Sequence, residues 1–272
     1  MAHYHERMSE RIVILGAGGH GRVVLETARA AGLDVVGVLD ARADQLGPEV
    51  LGVPVLGGDD RLDLATEKGA KHYLLGVGHL GDASIRRRLA AAAQAAGLQP
   101  AIAAHPTAHV SPSAELAPGT VVLPHAVVHI QARVAEHVIV NTAAVVEHDA
   151  QLEAHVHAAT AAALAGDVCV GPDTLIGARA VVRQGIRIGA GCVIGAGAVV
   201  VKDVANRATV TGNPARPWHA RSPRALPGVS SSPWPSRVPI AARSRSCPRC
   251  RRAGWRSVCA AIGCWIAGRR GG

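Results

Sequence analysis

The chain has 272 residues, of which 49% are hydrophobic, enough for two modest cores, and it carries a formal charge of +9. That charge does not describe a nucleic-acid surface: from Trp218 onward there are 11 Arg and no Lys, Asp or Glu, which leaves 18 basic against 20 acidic side chains in residues 1–217. The first ten residues are polar and no run of about 18 apolar residues occurs, so neither a secretory signal nor a membrane span is expected, and a cytoplasmic location is.

Residues 1–10 read as a disordered start. From Arg11 to about residue 104, strands and helices alternate. RIVIL (11–15) is a strand, followed by a glycine turn, a helix over Arg22–Ala31, the strand DVVGVLD (34–40) and a short strand near Val53–Leu56. A helix after Asp59, the strand-and-turn KHYLLGVG (71–78) and an Ala-rich helix over Ser84–Ala96 complete the unit. This alternation predicts a small Rossmann-like α/β domain with a parallel sheet.

In the turn GAGGHG, Gly16, Gly18 and Gly21 stand in G-x-G-x-x-G spacing, and Asp40 ends the second strand 19 residues after Gly21. Such glycines allow a tight turn and close ligand approach, a helix start offers free N–H groups to phosphate, and a strand-end carboxylate can accept from a ribose or base. Alone, the fingerprint points to NAD. The domain, however, is the size of one mononucleotide-binding half, so a single nucleotide such as the UDP of a sugar donor fits better. His20 lies inside this turn, either as a solvent-facing loop residue or as a phosphate or sugar contact.

From Val110 a period of six takes over. Stepping by six from Val110 to Val200 meets sixteen positions, fifteen of them Val, Leu or Ile, the exception being Ala158. Two residues before each, the side chain is small or β-branched, as at Ala126, Ala132, Val138 and Ala144. Residues two apart in a strand share a face, so both rows point inward, and a period of six requires the chain to turn a corner between short strands. Three hexads make one coil of a triangular parallel β-helix. A sandwich would need turn clusters of irregular length, which this unbroken phase excludes.

The phase also acts as a ruler. His148, two residues after Val146, is predicted outside the prism, with Gly166 one coil away on the same row. Cys169 and Cys192 are assigned to interior small positions and are poorly placed as nucleophiles. His125, His129, His137 and His155 are expected on the exterior at scattered phases, solvated or in subunit packing. No convergent ligand set predicts a metal: Cys247 and Cys250 form a CxxC, but Cys259 and Cys264 have the wrong spacing for its partner pair. Residues 218–272 admit two readings, a non-native extension or a disordered basic tail.

GAGGHGRVV, VVGVLD, LLGVG, HPTAHVSPSA, VIVNTAAVVEHD and TGNPAR, spread over residues 11–216, resemble the family of sialic acid O-acetyltransferases and UDP-4-amino-sugar N-acetyltransferases, the latter acting in bacillosamine synthesis. The resemblance implies a nucleotide-sugar-binding domain at 11–104, a left-handed β-helix at 105–217, and a homotrimer with active sites between neighbouring prisms. It implies acetyl-CoA as co-substrate, without a metal, and acetylation of the amino group of a UDP-linked amino sugar by direct transfer in a ternary complex. His148 would be the general base, a task suited to an imidazole of ordinary pKa about 6.5, and Asp149 would hold its tautomer. Gly166 would contact acetyl-CoA, His157 its acetyl group or thioester, and Gly195 and Ala196 the pantetheine. Gly18, Gly19, His20, Asp40 and Gly78 would bind the nucleotide sugar, with Asn141 facing the sugar. Some members carry a second acid after the strand-end Asp, where this chain has Ala41. O-acetylation of a free sugar and a non-catalytic β-helix scaffold are the alternatives.

Overall fold

A computed structural model of the chain describes residues 10–218, so the expectations for the first nine residues and for the tail beyond Trp218, its cysteines included, lie outside the described residues. The strands that read as apolar runs form the middle of a six-stranded sheet. They are β1 (Arg11–Leu15), β2 (Asp34–Leu39), β3 (Glu49–Val50), β4 (Val53–Gly57), β5 (His72–Leu75) and β6 (Gln99–Pro100), in the order β3-β4-β2-β1-β5-β6. All pairs are parallel except the β3–β4 hairpin, whose first strand is too short to show in the hydrophobic pattern. Helix α1 (Gly19–Ala30) starts three residues earlier than expected, inside the glycine turn itself. Helices α2 (Leu62–Glu67) and α3 (Ser84–Ala95) fall where they were predicted.

Strand β1 is central and sealed on both sides, which is why Ile12–Leu15 are at most 1% exposed. Ile12 and Ile14 pack with Val24 and Leu25 of α1, whereas Val13 and Leu15 pack with Leu62, Tyr73 and Leu89. The first of these clusters continues through Ala101 and Ala103 onto Val121, Leu123 and Ile139 of the following domain. The α/β domain is therefore seated on the β-helix by shared hydrophobic core, and both belong to one compact unit.

Residues 103–217 form the left-handed parallel β-helix, three sheets of two-residue strands apart from the three-residue strand Thr209–Thr211. On the first face Val121 pairs with Ile139, and the row continues through His157, Leu175 and Val193, each 18 residues on. The second face carries Val127, Val145, Ala163 and Val181, and the third Arg133, Gln151, Cys169 and Arg187. The aliphatic row from Val122 to Val200 is at most 3% exposed. Where the small row holds a hydroxyl, the polar group is satisfied: Thr120 donates to the Ala135 carbonyl and Thr174 to that of Gly189. After the last coil the chain doubles back, and the Trp218 N–H donates to the Thr209 carbonyl.

From residue 119 to residue 197 each corner contains one left-handed residue at a fixed phase. His125, Gln131, His137, Ala143, Asp149, His155, Ala161, Asp167, Asp173 and Arg179 have φ between 55° and 60°, and Gly119, Gly185, Gly191 and Gly197 occupy the same phase. Asp and His tolerate this conformation better than most side chains, so three Asp and three His recur there. This corrects two expectations. His125, His137 and His155 share one phase, and His137 is only 3% exposed because the α/β domain covers its corner. Cys169 is not interior either: it precedes the aliphatic Val170, so it points outward and is half-buried, while Cys192 is buried as expected.

Candidate active site

Where the chain turns from the second face to the third, Val146 points into the prism and His148, two residues on past the strand end, leaves it outward. His148 Nδ1–H donates to Asp149 Oδ2 at 2.7 Å, since a carboxylate can only accept. That bond fixes the tautomer and leaves the Nε2 lone pair free. The hydrogen bond to Asp149 is the main cause of an imidazole pKa above the usual 6.5; slight desolvation opposes it, and the charges of Asp149, Glu147 and Asp167 add to it. Gly166 lies under the ring, one coil on: a Cβ there would collide with Cε1 and Nε2 of His148. An open groove of about 590 Å³ begins at Asp149 and Asp167 and runs past Gln131, Gln151, Ser113 and Arg133 on the third face.

A second group of expected site residues meets elsewhere, at the seam between the domains. Gly78, in the loop after β5, lies against both His20 and His157, whose ring atoms are 3.7 Å from where its Cβ would be. His157 has both nitrogens engaged within the chain: Nδ1–H donates to the His79 carbonyl at 3.1 Å, and Nε2 accepts from Asn141 Nδ2 at 3.1 Å. Asn141 Oδ1 in turn accepts from the Thr142 N–H. Burial drives the His157 pKa down to about 3, partly offset by the hydrogen bond to His79, with His79, His20 and Arg86 depressing it further. His20 falls to about 4 through burial and the charge of Arg86. These imidazoles are neutral, and in the free chain His157 is a fixed support behind Gly78.

Arg86 and His79, which stand in no recognisable motif, hold this loop. Arg86, fully buried on α3, donates to the carbonyls of Val77 and His137, so one guanidinium joins the Gly78 loop to the prism. His79 Nε2–H donates to the His155 carbonyl at 2.9 Å. The sequence signal was only a run of three arginines, Arg86, Arg87 and Arg88. The fold separates them, one buried, one paired with Asp173 and one with Asp59.

The third group is the glycine turn. Gly16 needs its positive φ of 104°, and Gly21 and Gly76 must lack a Cβ because either would collide with the Gly16 carbonyl oxygen. Gly18 and Gly19 remain accessible at the start of α1. Asp40, expected to face a ligand, has turned inward. Its Oδ2 accepts from the Ala17 N–H at 2.7 Å and its Oδ1 from the Arg42 N–H at 2.8 Å. Burial pushes its carboxyl up, but these bonds and the Arg42 side chain outweigh it and hold the pKa below normal. Gly195 is half-buried under Thr211, and Ala196 is exposed on the corner between the first and second faces.

Among the described residues, no His, Cys, Asp and Glu cluster could hold a metal ion, and no helix is long and apolar enough to cross a membrane. A nucleotide-type α/β domain joined to a hexapeptide β-helix, with a carboxylate-oriented imidazole on an outer corner, defines the class of hexapeptide-repeat acyltransferases. Comparisons narrow the class. Residues 11–93 match the PglD N-terminal domain and residues 168–202 the bacterial transferase hexapeptide family. No curated protein sequence matches the chain. Among solved structures, the acetyltransferase domain of PglB from Neisseria gonorrhoeae FA1090, in complex with acetyl coenzyme A, is 39% identical with a TM-score of 0.71, over 77% of this chain and 100% of that one. PerB from Caulobacter crescentus, in complex with CoA and GDP-perosamine, is 38% identical with a TM-score of 0.71, over 76% and 97%. WeeI from Acinetobacter baumannii AYE is 25% identical with a TM-score of 0.65, over 76% and 99%. The chain belongs to the family of hexapeptide-repeat acetyltransferases with a PglD-type N-terminal domain, and is an enzyme.

Proposed function

We propose that the chain transfers the acetyl group of acetyl-CoA to the amino group of a nucleotide-linked amino sugar, a UDP-sugar in the first instance. The carrying observation is the His148–Asp149 pair, which leaves Nε2 free and whose Asp149 lines an open groove. The solved relatives with acetyl coenzyme A, or with CoA and GDP-perosamine, support the two substrates. Nε2 takes the proton from the acceptor nitrogen as it attacks the thioester carbonyl; the new amide bond forms as the C–S bond breaks, and the proton passes to the leaving thiolate of CoA. Asp149 stabilises the imidazolium in between. No acyl-enzyme is needed, since Cys192 is buried and, among the described residues, the side chain bonded to Cys169 is Arg187, which is no base.

His148 with Gly166, and the pair His20 and Gly78, occupy different sides of one prism. A second copy placed against the second and third faces would bring one chain's base to another chain's nucleotide turn. This supports a homotrimer with sites between subunits, where both reactants are held for an effectively intramolecular attack. Gly166 would then meet acetyl-CoA, His157 its acetyl group or thioester, and Gly195 and Ala196 its pantetheine, with Asn141 facing the sugar. We place the reaction in the cytoplasm.

The test is a free-thiol assay of CoA release with a panel of UDP- and GDP-linked amino sugars. At least one should be acetylated, and His148→Ala should lower the rate at least about 100-fold, the usual weight of a general base. Near-full activity in that variant would remove His148 from the mechanism, and no turnover across the panel would remove the acceptor class.

A further inference from the structure

The strand end that should present a free carboxylate to the nucleotide instead presents a cation. From this geometry we infer that Arg42 grips the diphosphate of the nucleotide sugar above the glycine turn. The inference rests on the nucleotide-sugar reading of that turn and names one further contact within it.

Asp40 is 6% exposed, and both its oxygens are held by this chain. It is an anchor for the turn and not a free acceptor for a ribose hydroxyl. One of its hydrogen bonds aims the arginine: Arg42 Nε donates to Oδ1 at 3.3 Å, which fixes that edge of the guanidinium. The other edge is free. Arg42 Nη2 lies 3.4 Å from where a Cβ of Gly18 would be, and neither Nη atom has a protein acceptor among the described residues. The side chain is 59% exposed, so a ligand can reach it.

Gly18 is the N-cap of α1, a helix of 12 residues with no side-chain cap and no acid in its first turn. The amides of Gly18, Gly19 and His20 make no hydrogen bond among the described residues, and the space beside Gly19 is open. A fixed cation at a helix N-terminus is electrostatically unfavourable, because both carry positive potential. The chain nevertheless holds one there with a buried carboxylate. An anion between them turns two repulsive groups into two attractive ones, and a diphosphate supplies two such anionic units at the spacing of adjacent phosphates. Asp59, an acid that feels the charge of Asp40, is drawn towards Arg88 at 3.7 Å. A nucleobase has no charge to answer this arrangement, so the guanidinium is assigned to the diphosphate.

The experiment is calorimetric titration of the whole chain with UDP, GDP, uridine and guanosine, at two salt concentrations. Wild type should bind at least one diphosphate more tightly than its nucleoside. Arg42→Met should lose about ten- to 100-fold of the diphosphate affinity, as expected for a charge-assisted bond, with nucleoside affinity unchanged and a shallower salt dependence. Arg42→Lys should recover part of the loss. Unchanged diphosphate affinity in Arg42→Met overturns the assignment while leaving the nucleotide site standing, and so does an equal loss for diphosphate and nucleoside, which would mark a merely structural residue. If wild type binds neither diphosphate, the nucleotide reading falls with it.

Discussion

Six histidines sit in or beside the candidate site, and the fold gives them opposite characters. His148 is exposed, bonded to a carboxylate and more basic than a free imidazole; His20 and His157 are shielded, near a guanidinium, and neutral far below pH 7. Only the first can carry a proton near neutrality, because a general base works best with a pKa near the operating pH. A raised pKa has a defined consequence. The base must be unprotonated to act, so the acid limb of the kcat/KM profile lies above the ordinary imidazole value. Asp149→Asn removes the main cause of that elevation, so the limb should move to lower pH while the plateau falls about tenfold or more through loss of the fixed tautomer. A full pH–rate profile of both proteins checks this, and a limb that stays put would dissociate Asp149 from His148. The pair was legible because a strict period of six says which residues point out and which stand one coil apart, so the contact of Gly166 with His148 follows by counting. The inward turn of Asp40 was not legible: a strand-end acid looks the same whether it accepts from a ribose or from the Ala17 N–H.

Among the elements, α1 depends most on glycine, and the two glycines beside His20 have different duties. A Cβ on Gly21 would strike the Gly16 carbonyl oxygen, which is backbone and cannot move aside, whereas one on Gly19 would meet nothing. Gly21→Ala should therefore push the helix off β1 and destabilise the chain by about 1–3 kcal/mol, as overpacking does. Gly19→Ala should change stability by less than about 0.5 kcal/mol. Denaturant unfolding of the two variants separates these cases, and equal stabilities would mean that α1 is seated less tightly than the geometry demands. The spacing G-x-G-x-x-G announced the turn, and apolar runs announced β1, β2 and β5, because these elements bury continuous hydrophobic stretches. The two-residue strands β3 and β6 left no such signal, since a pair of residues carries no period. The left-handed corner residue of each hexad was hidden for another reason: its phase is filled by His, Gln, Ala, Asp, Arg or Gly, a mixture that hydrophobic patterning does not register.

At the scale of the whole molecule, the seam between the domains is lined by ionisable groups with few carboxylates among them. The α/β side contributes His20, Tyr73, His79, Asp82, Arg86 and Arg87. The prism side contributes Glu136, His137, His155, His157 and Asp173. His137 stacks on His155 with ring centroids 5.0 Å apart, and Tyr73 lies 5.8 Å from His137. Burial, then the charge of Arg86, lowers His137 to about 4; burial, followed by His137 and Arg86, lowers His155 to about 3. None of this could be read from residues 137 and 155 alone, because the segment that covers them lies some fifty residues or more earlier in the chain. The sign of the linkage is fixed. An unfolded imidazole binds its proton near pH 6.5, and these take it up only near 3 to 4 when folded, so between those values the unfolded chain holds more protons. Their neutral state gives its full support above about pH 6.5, and that support is lost progressively as the pH falls towards 4. Each such histidine adds at most about 1.4 kcal/mol per pH unit to the slope, the value for one proton. Unfolding free energy measured at pH 5, 6 and 7 should therefore rise with pH. His155→Gln should flatten that rise by up to one proton whatever it does to stability at pH 7, because glutamine cannot titrate. A slope identical to wild type would mean that protons reach the seam without separating the domains, leaving Arg86 as the group that holds the Gly78 loop to the prism in acid as well as at neutrality.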